Sequence, residues 1–327
     1  MKYTVTAFGE ILIDFTPAGK SEQGNQLFEQ NPGGAPANVL TAVTRQGGTG
    51  ALISGVGEDS FGYFLKGILD REKICSDGLQ FTKEASTTLA FVTLDEQGDR
   101  SFQFCRSPGA DQKIEKKKIS LSLIDDCQIF HFGSLSLSDE PSRSAALFAA
   151  EYARKKRKLI SYDPNWRPAL WKSTEDGVKG MKRGLLLADM LKLSEEELLL
   201  LSGSDDCEQG TQNLLEAYPN LQLMVVTLGP RGCFFRCKGE IGRLPTYDIK
   251  VVDTTGAGDS FWGALLLKIA QNPFCMEKGN GTYLKDALDY ANASGALCAS
   301  GRGAIPCIPS ASDIHMLRKR GNKLFVQ

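Results

Sequence analysis

Short apolar runs alternate with amphipathic stretches along almost the whole of this chain. "TVTAFG" is apolar and β-branched and reads as a strand. "PANVLTAVTRQGG" carries apolar positions at helical spacing and closes on glycines, as a helix does. The alternation returns in "TGALISGVG", a strand, and "DSFGYFLKGILDRE", a helix. Farther on, "QIFHFGSL", "KLISYDPN", "MLKLS" and "LMVVTLG" are strands, each followed by helical or turn sequence. Such βα alternation predicts an α/β fold, with a mostly parallel sheet and helices on both faces. In open sheets of that kind ligands sit beyond the carboxyl ends of the strands. The turns after the strands are therefore where chemistry is expected.

Two segments break the rhythm. "EILIDFTPAGKSEQGNQLFEQN" (10–31) and "TTLAFVTLDEQGDRSFQFCR" (87–106) alternate with period two around glycine-containing turns, as hairpins do. Antiparallel strands inserted in a parallel frame predict a small projecting sheet, either a lid over a ligand or an edge extension without function. No repeat, low-complexity tract or Pro/Ser-rich linker divides the chain, so one domain over 1–327 is expected.

Composition narrows the partners. The chain is 42% hydrophobic and 24% charged, ordinary for a globular protein. A formal net charge of −1 argues against a nucleic-acid or membrane-surface role. The basic run "RKKRK", Arg154 to Lys158, follows the helical pattern "SAALFAAEYA" and is expected to be a solvated helix end beside the negative pole of the dipole. Nine cysteines are scattered without a Cys-x-x-Cys pair, and only two histidines occur, so reduced core thiols are expected rather than a zinc site. Cys233 and Cys237, the closest pair, are expected to flank a hairpin. The start "MKYTVTAFGEILIDF" lacks a cleavable apolar leader, and no apolar run reaches about 18 residues, so a soluble cytoplasmic protein is expected. "AGKS" (18–21) resembles the end of a phosphate-binding loop, but the glycine that pattern needs is Asp14 here.

The chemistry concentrates in "VVDTTGAGDSFWG", Val251 to Gly263. Small residues at Gly256, Ala257 and Gly258 let backbone N–H groups converge at a helix N-terminus, which attracts anions. Asp259, at the mouth of the apolar stretch "SFWGALLLKIA", fits two roles: a helix N-cap, or a base that takes a proton from an attacking hydroxyl. In "NPGGAPANV", Gly33 and Gly34 let the backbone approach a ligand, and Pro36 suits the first turn of a helix. Asn38 lies one turn in, and Asp14 follows the first strand; together they form a polar set suited to hydroxyls. "VTLGPRGCFF" runs a strand into Gly-x-x-Gly, either a plain hairpin or a backbone contact with nucleotide phosphates.

These three segments, "GGAPANV", "VTLGPRG" and "DTTGAGDSFWGAL", stand in the order and spacing of the ribokinase-like (PfkB) sugar kinases, and the resemblance covers nearly the whole chain. It is strongest to the fructokinases, through "FGEILIDF", "RSFQFCRSPGAD", "FHFGSLSL", "SYDPNWRPALW", "KLSEEELLLLSG" and "ANASGAL…GRGAIP". The resemblance implies a ribokinase-like three-layer sandwich with a small β-sheet lid. It also implies transfer of phosphate from ATP to the primary hydroxyl of fructose, giving fructose 6-phosphate. Other acceptors stay open, among them 2-keto-3-deoxygluconate, ribose or a nucleoside, as does a non-catalytic sugar- or nucleotide-binding relative.

Residue by residue, the resemblance implies Asp259 as the base and Gly256, Ala257 and Gly258 as the anion hole. Asp14, Gly33, Gly34, Asn38, Phe104, Arg106 and Arg167 match sugar-side positions. Arginine suits such work because its fork binds oxyanions in pairs. Asn165, Lys192, Ser194, Thr227, Gly229, Gly232 and Asn292 match the ATP side. Glu197 keeps the acid of an element tied to Mg²⁺ in relatives, with Ser194 where they carry Asn. Asp253, Thr255 and the backbone near Cys298, Gly301, Gly303 and Cys307 match a loop that holds K⁺. The apolar alternation of the lid strands also suits pairing between subunits, so a homodimer through the lid is expected.

Overall fold

The strands sort into two sheets in the computed structural model, which describes residues 1–94, 100–238, 240–277 and 281–324. The main sheet is built from β1 (Tyr3–Phe8), β4 (Gly50–Gly57), β5 (Ile74–Thr82), β8 (Cys127–Gly133), β9 (Leu159–Asp163), β10 (Met190–Ser194), β11 (Leu223–Thr227), β12 (Cys233–Cys237) and β13 (Glu240–Leu244). Its order is β13-β12-β11-β10-β9-β8-β1-β4-β5, parallel from β5 to β11 and antiparallel for the last two strands.

Period two decides which side chain joins which core. In β11, Leu223 and Val225 enter one apolar cluster while Met224 and Val226 enter the other. The first cluster lies under α1 (Ala35–Arg45), α2 (Ser60–Arg71), α8 (Ala257–Gln271), α9 (Gly281–Ala299) and α10 (Ala311–Arg320). The second lies under α3 (Leu121–Asp125), α4 (Ser142–Lys155), α5 (Thr174–Leu185), α6 (Glu195–Ser202) and α7 (Cys207–Ala217). The result is a helix–sheet–helix sandwich, as the resemblance implies. Trp262 of α8 is fully buried, and its indole N–H donates to Ser161 Oγ of β9 at 2.8 Å, which keys the helix to the sheet.

The small sheet has the order β3-β2-β6-β7, from β2 (Leu12–Lys20), β3 (Gln26–Gly33), β6 (Leu89–Leu94) and β7 (Arg100–Cys105). Both hairpins expected at 10–31 and 87–106 are present; the turn of the second, 95–99, lies outside the described residues. They join through β2 and β6, which run parallel. Phe91 stacks on Phe15 at 5.0 Å and meets Phe28 edge-on at 5.6 Å.

Two details differ from the sequence reading. β5 has no clean apolar pattern because, as an edge strand, it buries little beyond Ile74 and Gly78. Cys233 and Cys237 do not flank a hairpin; they begin and end β12, both turned into the core. They lie between two antiparallel pairings, β11 with β12 and β12 with β13. The basic run does finish α4, where Arg154 and Lys158 bond exposed carbonyls. Among the described residues no helix is long and apolar enough to cross a membrane.

Candidate active site

Polar groups gather where β1, β8, β9, β10 and β11 end, and the first of them is a carboxylate that sequence reading passed over. Glu10, two residues after β1, is buried, and its Oε1 accepts the Ala35 N–H at 3.0 Å. That bond opens α1, whose N-cap, Gly34, has no side chain to offer. Gly34 holds φ 109°, and a Cβ there would lie 2.6 Å from the Glu10 carbonyl oxygen, so only glycine fits. Gly33 likewise makes room for the Asp14 carboxylate, which lies where its Cβ would be. Desolvation pushes both acids up to about 7. For Asp14, the Arg167 guanidinium opposes the rise and the Asp253 and Asp259 carboxylates add to it.

One turn into α1, Asn38 reaches across to α8. Its Nδ2 donates to Asp259 Oδ2 at 2.8 Å, and its Oδ1 is buried with no hydrogen-bond partner among the described residues. Asp259 is the third residue of α8; the N-cap position belongs to Gly256, at φ 75°. The capping reading of Asp259 is thereby corrected, and the reason is steric: a Cβ at 256 would lie 2.7 Å from Ala304 Cβ. Desolvation, then the Asp163 carboxylate, push Asp259 up to about 6, while Lys192, the Asn38 hydrogen bond and Arg167 pull the other way. Of the expected anion-hole amides, the Ala257 N–H donates to Thr254 O at 3.2 Å. The Gly256 and Gly258 N–H groups have no such partner among the described residues.

A buried cation stands beside that turn. Lys192 Nζ lies 2.7 Å from Asp163 Oδ2 and 3.4 Å from the point a Gly258 Cβ would occupy. Burial works against its charge, but the carboxylates of Asp163, Glu197 and Asp259 outweigh it, and its pKa ends above the ordinary value. Glu197 is buried too, with burial raising its pKa. Its Oε1 accepts the Trp166 N–H and its Oε2 the Ser194 N–H, each at 2.7 Å, while Ser194 Oγ accepts the Glu197 N–H at 3.2 Å. The expected metal ligand is thus a strap joining the ends of β9 and β10. Asn165, at φ 51°, donates its N–H to Asp163 Oδ1, and the exposed Arg167 bonds the Trp166 carbonyl.

Most of these groups line a cavity of about 660 Å³, together with Phe104 of the small sheet, Gly34 and Thr255; Gly33, Asp163 and Ala257 do not. A second cavity of about 470 Å³ is lined by Thr227, Gly229, Gly232, Asn292, Phe261 and apolar neighbours. Thr254 and Gly258 belong to both, so the two are ends of one cleft meeting at the start of α8. Gly229 and Gly232 hold φ of 56° and 84° in the turn after β11, making it a hairpin and a cavity wall together. Asn292 is on that wall, but its Nδ2 is turned toward the carbonyls of Leu244 and Pro245, at 3.5 and 3.3 Å.

Arg106 departs from expectation. It lines neither cavity; its guanidinium is buried against Asp111 at 2.6 Å and also bonds Ser138 Oγ and the Leu135 carbonyl. An acid five residues on holds it inward, which the "RSPGAD" spacing alone does not reveal.

Asp253 is buried, with Oδ1 accepting the Thr255 N–H at 2.7 Å and Oδ2 the Gly303 N–H at 3.0 Å. It is an Asx turn and a clamp between two loops at once. The Cys298 thiol points at the Thr255 carbonyl at 3.7 Å and the Cys307 thiol at the Arg302 carbonyl at 2.9 Å, with Gly301 packed on Cys307. None of Cys298, Gly301, Gly303 and Cys307 lines either cavity. Glu10 and Asp163 are the functional candidates that sequence reading missed. The signal available for both was an acid at the carboxyl end of an apolar strand.

Three comparisons bear on this arrangement. Residues 2–311 match the model of the pfkB family carbohydrate kinases. "Probable fructokinase-5" of Arabidopsis thaliana is 42% identical over 321 residues, covering 98% of each chain. A fructokinase from Xylella fastidiosa with bound ATP superposes with a TM-score of 0.88 at 33% identity, over 98% of this chain and 99% of its own. The fructokinase of Vibrio cholerae O395, holding fructose, ADP and a calcium ion, gives a TM-score of 0.86 at 32% identity, over 97% and 99%.

Proposed function

The chain belongs to the pfkB family of carbohydrate kinases, and on that footing we propose that it is an ATP-dependent fructokinase, converting fructose to fructose 6-phosphate. The observation that carries the reading is the hydrogen bond from Asn38 to Asp259 at the junction of the two cavities. It leaves Asn38 Oδ1 as an orphan acceptor beside a carboxylate tuned to about 6. A sugar hydroxyl supplies the donor that orphan lacks.

Fructose occupies the larger cavity, between the Gly33–Gly34 turn, Asp14, Asn38 and Arg167. ATP occupies the smaller one, its phosphates running over the Gly229–Gly232 turn toward α8. Asp259 accepts the proton of the primary hydroxyl as that oxygen bonds to the γ-phosphorus, and the bond to the bridging oxygen breaks to release ADP. The Gly256 and Gly258 amides, the positive end of α8 and the Lys192 ammonium face the charge on the transferring group. Positioning and electrostatics supply most of the acceleration.

Among the described residues no three His, Cys, Asp or Glu side chains cluster as a metal site. Mg²⁺ needs no such cage, since it keeps several waters and would be held largely by the phosphates it neutralises. K⁺ fits the loop beside the anion hole, through the Asp253 carboxylate and the Thr255 carbonyl, both hard oxygen donors. It would fix the loop electrostatically without entering the reaction. The nine thiols, mostly buried, support a reducing, cytoplasmic setting. Leu27 and Phe28, exposed on the lid's edge strand β3, support a homodimer through the lid.

Steady-state kinetics with ATP against fructose, ribose, 2-keto-3-deoxygluconate and a nucleoside tests the assignment. Fructose should give the highest kcat/KM, and Asp259→Asn should lower kcat by about 100-fold or more while ATP still binds. Preference for another acceptor would overturn fructose; near-normal turnover of Asp259→Asn would remove the base.

A further inference from the structure

We propose that the segment after α10, residues 321–324, is a working wall of the nucleotide site and sets the affinity for the phosphoryl donor. The proposal rests on the reading of the smaller cavity as the ATP site. The matched family segment ends at residue 311, so this wall comes from outside it.

Past Arg320 the chain turns back along residues 246–248. The Asp248 N–H donates to Asn322 O at 2.8 Å, Tyr247 and Lys323 form an antiparallel bridge, and the Leu324 N–H donates to Thr246 O at 2.9 Å. Side chains lock the same ladder. Lys323 Nζ meets Asp289 Oδ1 of α9 at 2.6 Å, and the Tyr247 hydroxyl donates to that carboxylate at 3.1 Å. Arg318 reaches it at 2.9 Å from α10, the helix before the tail. Asp289 therefore gathers the tail, Tyr247 and the last helix at one point.

The ladder leads to the cavity. Thr246, Tyr247 and Leu324 all line it, with Ile249 and Val251 following from the same segment and Ala296 from α9. Leu324 is only half-buried and Val251 is 58% exposed, so both hold apolar surface that a flat, weakly hydrated base would cover. Polar readout is meanwhile scarce: the Asn292 Nδ2 is turned to backbone carbonyls and the Tyr247 hydroxyl to Asp289. Affinity for the base must then come chiefly from apolar contact, and the tail supplies part of it.

The test compares wild type with Leu324→Ala, Leu324→Asp and a chain ending at Arg320. ATP binding is measured by calorimetry without sugar, alongside KM for ATP, KM for fructose, kcat and the melting temperature. We expect ATP affinity to fall about threefold in Leu324→Ala. It should fall about tenfold or more in Leu324→Asp and in the truncated chain, with kcat and KM for fructose within about twofold. Leu324→Ala guards against misfolding, since it keeps every backbone bond of the ladder. Unchanged ATP affinity in Leu324→Asp, or equal weakening of ATP and sugar, overturns the proposal. A wild type that binds no ATP overturns it together with the nucleotide reading. Turnover of a different sugar overturns only the acceptor, and the tail variants then decide the proposal as before.

Discussion

Asn38 and Asp259, 221 residues apart in sequence, share a 2.8 Å hydrogen bond because α1 and α8 lie almost in backbone contact. Gly263, one turn beyond Asp259, makes the approach possible: a Cβ there would run into the Val39 carbonyl and lie 2.7 Å from Ala42 Cβ. The pair is thus set by a helix crossing one turn away from the Asp259 carboxylate.

Gly263→Ala is accordingly expected to act at a distance. Overpacking this crossing should cost about 1–3 kcal/mol of stability. By loosening the Asn38–Asp259 bond it should also lower kcat more than it raises KM for ATP. Denaturant unfolding and steady-state kinetics on the one variant check both effects; a stability loss with unchanged kcat would separate the crossing from catalysis.

The pH profile follows from Asp259. As the proposed base, Asp259 works only when ionised, so kcat/KM should fall as pH drops through about 6. Because the Asn38 hydrogen bond lowers that pKa, Asn38→Ala should move the acid limb to higher pH in addition to weakening sugar binding. A limb that stays in place would show that Asn38 does not tune the base.

Stability should respond to pH with its own sign. Glu10 and Asp14 titrate at about 7 in the fold, above the usual carboxyl range, so the folded state holds their protons more tightly than the unfolded chain does. Their contribution is destabilising once pH rises above the unfolded values, and grows until about 7. Asp14→Asn should therefore raise the melting temperature at pH 8 relative to wild type by more than at pH 5, while raising KM for fructose. Melting curves of the ligand-free protein at the two pH values measure the difference.

Glu197 offers a choice between two roles. As a strap on the Trp166 and Ser194 N–H groups, its loss leaves buried donors unmet, and Glu197→Ala should cost about 1–3 kcal/mol. KM for ATP and fructose should rise together, since the strap holds Trp166 and Ser194, which line the larger cavity. A metal ligand would behave differently, shifting the Mg²⁺ dependence with little change in melting temperature.

Asp253→Asn should weaken any activation by K⁺. Assays in K⁺ and in tetramethylammonium at fixed ionic strength should show several-fold stimulation of the wild type and much less of the variant. Equal stimulation of both would move the cation elsewhere.

Much of this protein can be read from one dimension. The βα rhythm, the two lid hairpins, the Gly33–Gly34 and Gly256–Gly258 turns and the acids beside them are local features, written by side-chain period and by the steric freedom of glycine. Resemblance then orders them into a kinase. What the sequence could not carry was decided by packing between distant elements. The parallel pairing of β2 with β6 joins the hairpins into one lid. Asp111 turns Arg106 away from the cleft, and Glu197 is drawn onto backbone N–H groups. Glu10 caps a helix that starts 25 residues later, and Leu324 reaches the smaller cavity from the far end of the chain. Each of these depends on distances between atoms whose positions are set only when both cores close on the sheet. Local propensity carries no information about such distances, and hydrophobic burial, which fixes them, is a property of the assembled fold.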